Sequence, residues 1–198
     1  MTFLTQNQLI NGLKNIKKNF SEIYIDKVFF LDYYTLENSK KTELGDLVYK
    51  AKNPGNKKLL DEVLKIIIRP INKLIQKEKI DGVIFIPSTI KREIQFLEEI
   101  EKGLNLNLPK VKIVKISKNI SQKSIFKNED RSKNSKETFE LKTSVKTFQK
   151  ILIIDDTITS GATMNEISKK IKDYGIAKEA VGFAIVGSFR GVELIEEI

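Results

Sequence analysis

Ile151-Leu152-Ile153-Ile154-Asp155-Asp156-Thr157-Ile158-Thr159-Ser160-Gly161-Ala162-Thr163-Met164 is the stretch that decides how this chain is read. Four aliphatic residues in a row predict a strand buried on both faces, as in the middle of a parallel sheet. Asp155 and Asp156 close that strand, and small hydroxyl and glycine residues follow as far as Thr163. Met164 to Tyr174 continues with helical periodicity. A turn of this composition at a helix N-terminus brings several backbone N–H groups to one point. The helix adds partial positive charge there, and together they make a phosphate site. Two adjacent acids beside a phosphate repel it, unless they hydrogen-bond sugar hydroxyls or hold a neutralising metal. The stretch therefore asks for a ligand with both ribose and phosphate. A plainer reading has the acids merely ending a strand and Thr159 or Ser160 merely capping a helix. The agreement of the whole run with one pattern favours the first reading. It is not a P-loop, because the G-x-x-x-x-G-K-[ST] order is absent.

Composition narrows the chemistry. A chain of 198 residues, 40% hydrophobic and 31% charged, is expected to form a single domain, 1–198, with a proper core. With no Cys and no His there is neither a thiolate nor an imidazole to act as base or metal ligand, so a metal would be a hard, oxygen-bound ion such as Mg²⁺. No signal-peptide pattern opens the chain and no apolar run is long enough for a membrane span, which makes a cytoplasmic location the expectation. The formal charge is +9, and residues 101–150 hold 13 Lys/Arg against 5 Asp/Glu. That basic quarter suits a pyrophosphate-bearing substrate or a polyanion such as single-stranded nucleic acid, bound through residues 102–150. A solvated basic surface is the plainer alternative.

Along the chain, residues 5 to 19 have near-helical apolar spacing, and Ile23 to Tyr34 reads as strand with a polar break after it. This predicts an N-terminal helix and a hairpin or edge-strand region, a hood or packing segment over 1–42, outside the main parallel sheet. Leu44 to Ala51 reads as a short helix stopped by Asn53-Pro54-Gly55-Asn56. Apolar residues from Leu59 to Ile75 recur at spacings of three and four, giving one helix face over about Lys57 to Lys77. Pro70 inside it predicts a kink or two helices in series. Gly82 to Pro87 is the next buried strand, followed by Ser88-Thr89-Ile90-Lys91-Arg92 and a helix from Glu93 to Leu104. Open α/β sheets put ligands at such loops beyond the carboxyl ends of strands. Lys110 to Ser117 and Thr138 to Leu141 read as strands. The polar stretch 118–137 between them reads as a mobile basic loop. Ala180 to Gly187 is a last apolar strand, and Gly175 sits where a helix C′ glycine belongs. Strands alternating with helices predict an α/β fold, an open and mainly parallel sheet flanked by helices.

The run from Ile151 to Met164 resembles the phosphoribosyl-pyrophosphate (PRPP) motif of type I phosphoribosyltransferases: aliphatic strand, two acids, then T-x-S/T-G-x-T. A second likeness narrows it. Gln122, Ile125, Arg131, Asn134 and Phe139 fall in an order similar to that of the ComF family, phosphoribosyltransferase-like proteins associated with DNA uptake in competence. Ile86-Pro87, Lys91-Arg92 and Phe96 look like that family's proline loop and basic helix, and Leu47 to Lys52 like the short helix ahead of its first sheet strand. Two departures stand out. ComF-like chains commonly open with a four-cysteine zinc module, which a chain without Cys cannot form. Leu97 and Glu98 also stand where an Asn-Gln pair is expected.

The resemblance implies the type I phosphoribosyltransferase-like fold and a set of roles. Asp155 and Asp156 would hold the ribose hydroxyls, with Asp155 meeting Mg²⁺ only indirectly, through Mg-PRPP. Thr157, Thr159, Ser160, Gly161, Ala162 and Thr163 would cradle the 5′-phosphate. Pro87, Ser88, Thr89, Lys91 and Arg92 would wrap the pyrophosphate. The 118–137 loop would close over it and bring Lys123, Lys127 or Arg131 there, with Asp155, Asp156 and Arg131 the catalytic candidates. The implied activity is transfer of 5-phosphoribosyl to an acceptor that the sequence does not identify. A competence-type protein binding single-stranded DNA and a non-catalytic PRPP or nucleotide-binding regulator are the alternatives. A homodimer is a further expectation.

Overall fold

A computed structural model of the chain describes residues 9–36, 40–53, 56–88, 95–115, 139–142 and 147–188. In order these form β1 (Ile10–Asn11), α1 (Leu13–Asn19), β2 (Lys27–Tyr33), α2 (Glu43–Ala51), α3 (Lys57–Glu78) and β3 (Gly82–Phe85). Then come α4 (Phe96–Leu104), β4 (Lys112–Lys115), β5 (Phe139–Lys142), β6 (Phe148–Ile158), α5 (Ala162–Asp173) and β7 (Ala177–Gly187). The main sheet runs β1-β2-β7-β6-β3. Its β2–β7, β7–β6 and β6–β3 pairs are parallel, and only β1 is antiparallel to its neighbour. This is the expected open, mainly parallel α/β sheet flanked by helices.

The aliphatic run of β6 explains why helices cover both faces. Successive side chains of a strand point to opposite sides. Ile151 and Ile153 pack in the core shared with Ile16 of α1 and Met164, Ile167 and Ile171 of α5. Leu152 and Ile154 pack in the other core, with Val48 of α2, Val63 and Ile67 of α3 and Ile100 of α4. All four are fully buried, each contributing about 1.5–3 kcal/mol by removal from water. β6 continues past Asp155 to Ile158 because β7 runs on beside it, pairing Asp155 with Ala184, Thr157 with Val186 and Ile158 with Gly187.

One expectation is corrected and two are made definite. The Ile23–Tyr34 region is not a hairpin outside the main sheet: β2 is an inner strand, parallel to β7 from Lys27–Val181 to Tyr33–Gly187. Only the two-residue β1 turns back on it. The Lys57–Glu78 pattern does not divide at Pro70 into two helices in series. A proline inside a helix costs about 3 kcal/mol, and the stripe Leu60, Val63, Ile67, Ile71 and Leu74, buried on both sides of it, outweighs that. The strand read from Lys110 is divided: Lys110 makes a single parallel bridge to Val83 at the edge of β3, and the residues after it form β4. β4 pairs antiparallel with β5 in a sheet of two strands. The chain just ahead of it touches the edge of β3 through Val83 N–H to Pro109 O and Val111 N–H to Val83 O, both 3.0 Å. Gly175 has the expected left-handed conformation after α5, with φ 64°.

Candidate functional site at the carboxyl end of the sheet

The β6–α5 turn is shaped by one glycine. Ile158 ends the strand, its carbonyl accepting from Ser188 N–H at 2.7 Å. Gly161, with φ 80°, then reverses the chain into α5. A Cβ there would lie 2.5 Å from Cγ1 of Ile16, so α1 rests directly on the turn. The Asn19 side-chain amide, at the end of α1, donates to Ser160 O at 3.3 Å. Ser160 Oγ accepts from Ala162 N–H at 3.4 Å, and Asn165 N–H donates to Gly161 O at 2.9 Å as the helix begins. The first turn of α5 carries no acidic residue of its own to offset the partial positive charge of the helix N-terminus.

The N-terminal segment is fastened to α5 by Asn165, which is 7% exposed. Its Oδ1 accepts from Tyr24 N–H at 2.7 Å and Ile25 N–H at 3.4 Å, and its Nδ2 donates to Glu22 O at 2.9 Å.

The acid pair lies two strand residues, Thr157 and Ile158, away from the turn and is asymmetric. By strand alternation Asp155 and Asp156 leave β6 on opposite sides. Asp156 follows Leu152 and Ile154 toward the α2 side, where its Oδ1 meets Lys52 Nζ at 2.8 Å. The same ammonium donates to Thr157 Oγ1 at 3.1 Å and stands 5.9 Å from the centre of the Phe96 ring. Asp155 Oδ1 accepts from Asp156 N–H at 2.8 Å. Burial, reinforced by the neighbouring Asp156 charge, pushes the Asp155 carboxyl up to about 8, with the Asp156 amide and Lys52 pulling the other way. The Tyr34 phenol at the end of β2 is also raised, by burial first and then by Tyr49, Asp156 and Asp46.

Lys52 reaches this position because α2 is pressed onto the end of β2. Thr42 caps the helix, accepting from Gly45 N–H at 2.9 Å while its hydroxyl donates to Tyr33 O at 2.6 Å. Gly45 lies so close to the strand that a Cβ would stand 2.2 Å from Tyr34 O. Lys52 is the C-cap of the helix, its N–H bonded to Val48 O at 3.1 Å.

Among the residues singled out from sequence, Asp155, Asp156, Thr157, Thr159, Ser160, Gly161, Ala162 and Thr163 form one continuous strand end, turn and helix start. Thr157 stands apart from the turn residues, with its hydroxyl on the Lys52 ammonium. Pro87 and Ser88 follow β3, and Ile86 N–H bonded to Ile154 O at 2.9 Å sets them beside the acid pair. Thr89, Lys91, Arg92, Arg131 and the 118–137 loop lie outside the described residues. Lys52, Ile16, Asn19 and Asn165 were given no part in the site by sequence reasoning. For Lys52 the one available signal was its place at the end of the short helix ahead of the strand. Ile16, Asn19 and Asn165 meet their partners across more than a hundred residues of chain, and no local pattern marks them.

No family model and no curated protein matches the chain. Among solved structures it is similar to a purine phosphoribosyltransferase from Pyrococcus horikoshii, at 13% identity over 70% of this chain and 93% of that chain, with a TM-score of 0.33. No described helix is long and apolar enough to cross a membrane.

Proposed function

We propose that the protein is a phosphoribosyltransferase that binds PRPP with Mg²⁺ at the β6–α5 turn and passes the 5-phosphoribosyl group to an acceptor, releasing pyrophosphate. One observation carries the reading. Two adjacent carboxylates lie near the carboxyl end of a central parallel strand, which runs on to Ile158 and then into a left-handed glycine turn, and the helix that follows has no acid in its first turn. The helix end suits a terminal phosphate, and the carboxylates need a sugar to hold if that phosphate is to lie so near them.

In this reading Thr159 to Thr163 hold the 5′-phosphate and Asp155 and Asp156 hold the ribose hydroxyls. Pro87 to Arg92 flank the pyrophosphate. The donor set consists of carboxylates and hydroxyls in a chain without His or Cys. It fits a hard ion carried in by the ligand's own oxygens, which Asp155 meets through the sugar. Such an ion supplies charge to the leaving pyrophosphate when bound. In the transfer, the bond from ribose C1 to the pyrophosphate oxygen breaks and its electron pair leaves with pyrophosphate. An electron pair of the acceptor forms the new bond to C1, and the acceptor's proton is released. The protein's share is to align sugar and leaving group and to stabilise the charge that develops between them. Arg131, by this account, comes over the pyrophosphate from the 118–137 loop.

Calorimetry with Mg²⁺-PRPP tests the site. The wild type is expected to bind and the Asp155→Asn/Asp156→Asn variant to lose binding; a wild type that does not bind at millimolar PRPP contradicts the reading. A PRPP or nucleotide regulator would bind in the same way without releasing pyrophosphate in the presence of any acceptor. No described feature favours a single-stranded DNA site. In the basic quarter Lys102 pairs with Glu99, Lys110 with Glu101, and Lys150 with Glu179 and Glu78.

A further inference from the structure

We infer that Lys52 is a ligand-exchange cation: it holds Asp156 in the ligand-free protein and passes to the diphosphate of the bound donor when Asp156 turns to the ribose. The inference rests on the donor-site reading above and adds a residue to it. Three observations carry it. First, the ammonium stands where three segments converge. It is 2.8 Å from Asp156 and 3.1 Å from Thr157 on β6, and 5.9 Å from the Phe96 ring on α4, the helix reached from the loop after β3. The ends of β6 and β3 are joined through Ile86 N–H and Ile154 O. In the donor-site reading, a sugar held by the acid pair lies at this corner, within reach of the ammonium. Second, the pair is open enough to exchange: the Lys52 and Asp156 side chains keep 21% and 28% of their surface. A single part-exposed carboxylate is a weak partner for an ammonium, and a diphosphate of several charges is a stronger one. Third, the backbone under Lys52 is fixed. Its N–H closes the last turn of α2, and Gly45 seats that helix against Tyr34, so the ammonium needs only a side-chain rotation to change partner.

The exchange also accounts for the adjacent acids. Without a ligand, Lys52 offsets the charge of Asp156 beside the phosphate turn. With the ligand in place, the hydroxyls take the carboxylate and the cation moves to the anion that leaves.

Calorimetry with three probes, Mg²⁺-PRPP, Mg²⁺-pyrophosphate and ribose 5-phosphate, tests this on wild type, Lys52→Met, Lys52→Arg and Asp156→Asn. Lys52→Met is expected to weaken the two diphosphate probes about 10- to 100-fold, the loss of one charge-assisted hydrogen bond, and to leave ribose 5-phosphate within about twofold. Lys52→Arg should retain more diphosphate affinity than Lys52→Met. Asp156→Asn, which removes the ion pair and keeps the cation, should hold or raise pyrophosphate affinity while weakening ribose 5-phosphate. Should Lys52→Met fail to fold, as a melting curve would show, the Arg and Asn variants give the same separation. Equal loss of ribose 5-phosphate and pyrophosphate in Lys52→Met, or no loss of either, overturns the assignment of Lys52 and leaves the donor site standing. A wild type that binds none of the probes overturns both.

Discussion

Ile16 of α1 lies against Gly161 so closely that a β-carbon on the glycine would fall 2.5 Å from its Cγ1. The N-terminal helix thus forms part of the underside of the turn that faces the proposed phosphate. It also sets a steric test of the turn. Gly161→Ala would place a side chain at φ 80° and into Ile16 at once. The strain of a left-handed alanine and the overpacking together predict a loss of about 2–4 kcal/mol in chemical denaturation. Adding Ile16→Ala should relieve the overpacking part, so the double variant loses less than the sum of the two singles. Strict additivity would mean that the helix does not bear on the turn.

The Asp155 carboxyl gives the folded protein a pH dependence of definite sign. Burial and the Asp156 charge raise it from 3.8 to about 8. Between those values the folded state holds a proton that the unfolded state has lost, so this group's contribution falls as pH rises and levels off above about 8. Asp155→Asn cannot lose that proton. The variant's melting temperature is expected to rise, relative to wild type, between about pH 4 and about pH 8. A difference that is flat over this range would remove the buried acid from the account.

Glu78 acts in the opposite direction and at the other end of the sheet. It is 7% exposed and bonded to Lys27 at 2.8 Å, with Lys150 at 3.6 Å. Burial works to raise its carboxyl, but the Lys27 and Lys150 ammoniums outweigh it and the result is a lowered value. A lowered acid contributes stability above its unfolded value, and that stability is lost as pH falls through the folded one. Glu78→Gln should cost about 1–3 kcal/mol at neutral pH. Its deficit should shrink on acidification below about pH 4, which a pH series of urea midpoints would read.

Asn165 ties the chain from Glu22 to Ile25 to α5 with both ends of its side-chain amide. Asn165→Ala leaves these backbone groups without their partner, at an expected cost of about 2–3 kcal/mol. Amide hydrogen exchange at Tyr24 and Ile25 should speed up more than exchange in β3. Uniform acceleration would mean that the segment is held by other contacts.

The parts legible in the sequence were those that local periodicity encodes. The aliphatic run of β6, the small residues of the turn and the stripe of α3 each carry their own repeat, and each formed where that repeat places it. The position of β2 was not legible for a physical reason. Val28 and Phe30 are buried and Phe29 and Leu31 half-buried, so the strand keeps an alternation that suits an edge as well as an interior. Its neighbour β7 lies about 150 residues away in the chain, in the register Lys27–Val181 to Tyr33–Gly187. Of the two readings Pro70 allowed, two helices in series failed because the rule for proline weighs a missing hydrogen bond and takes no account of the apolar stripe that holds the helix on the sheet. In the site, the order of acids, hydroxyls and glycine marked the turn, whereas Lys52 is an ordinary helix-end lysine until folding brings it to Asp156.

A crystal structure of the protein with Mg²⁺-PRPP tests the central claim most directly. The account predicts the 5′-phosphate on the backbone of the Thr159–Thr163 turn and the ribose hydroxyls on Asp155 and Asp156. Well-ordered PRPP bound elsewhere, with the turn and both carboxylates free of it, would contradict it.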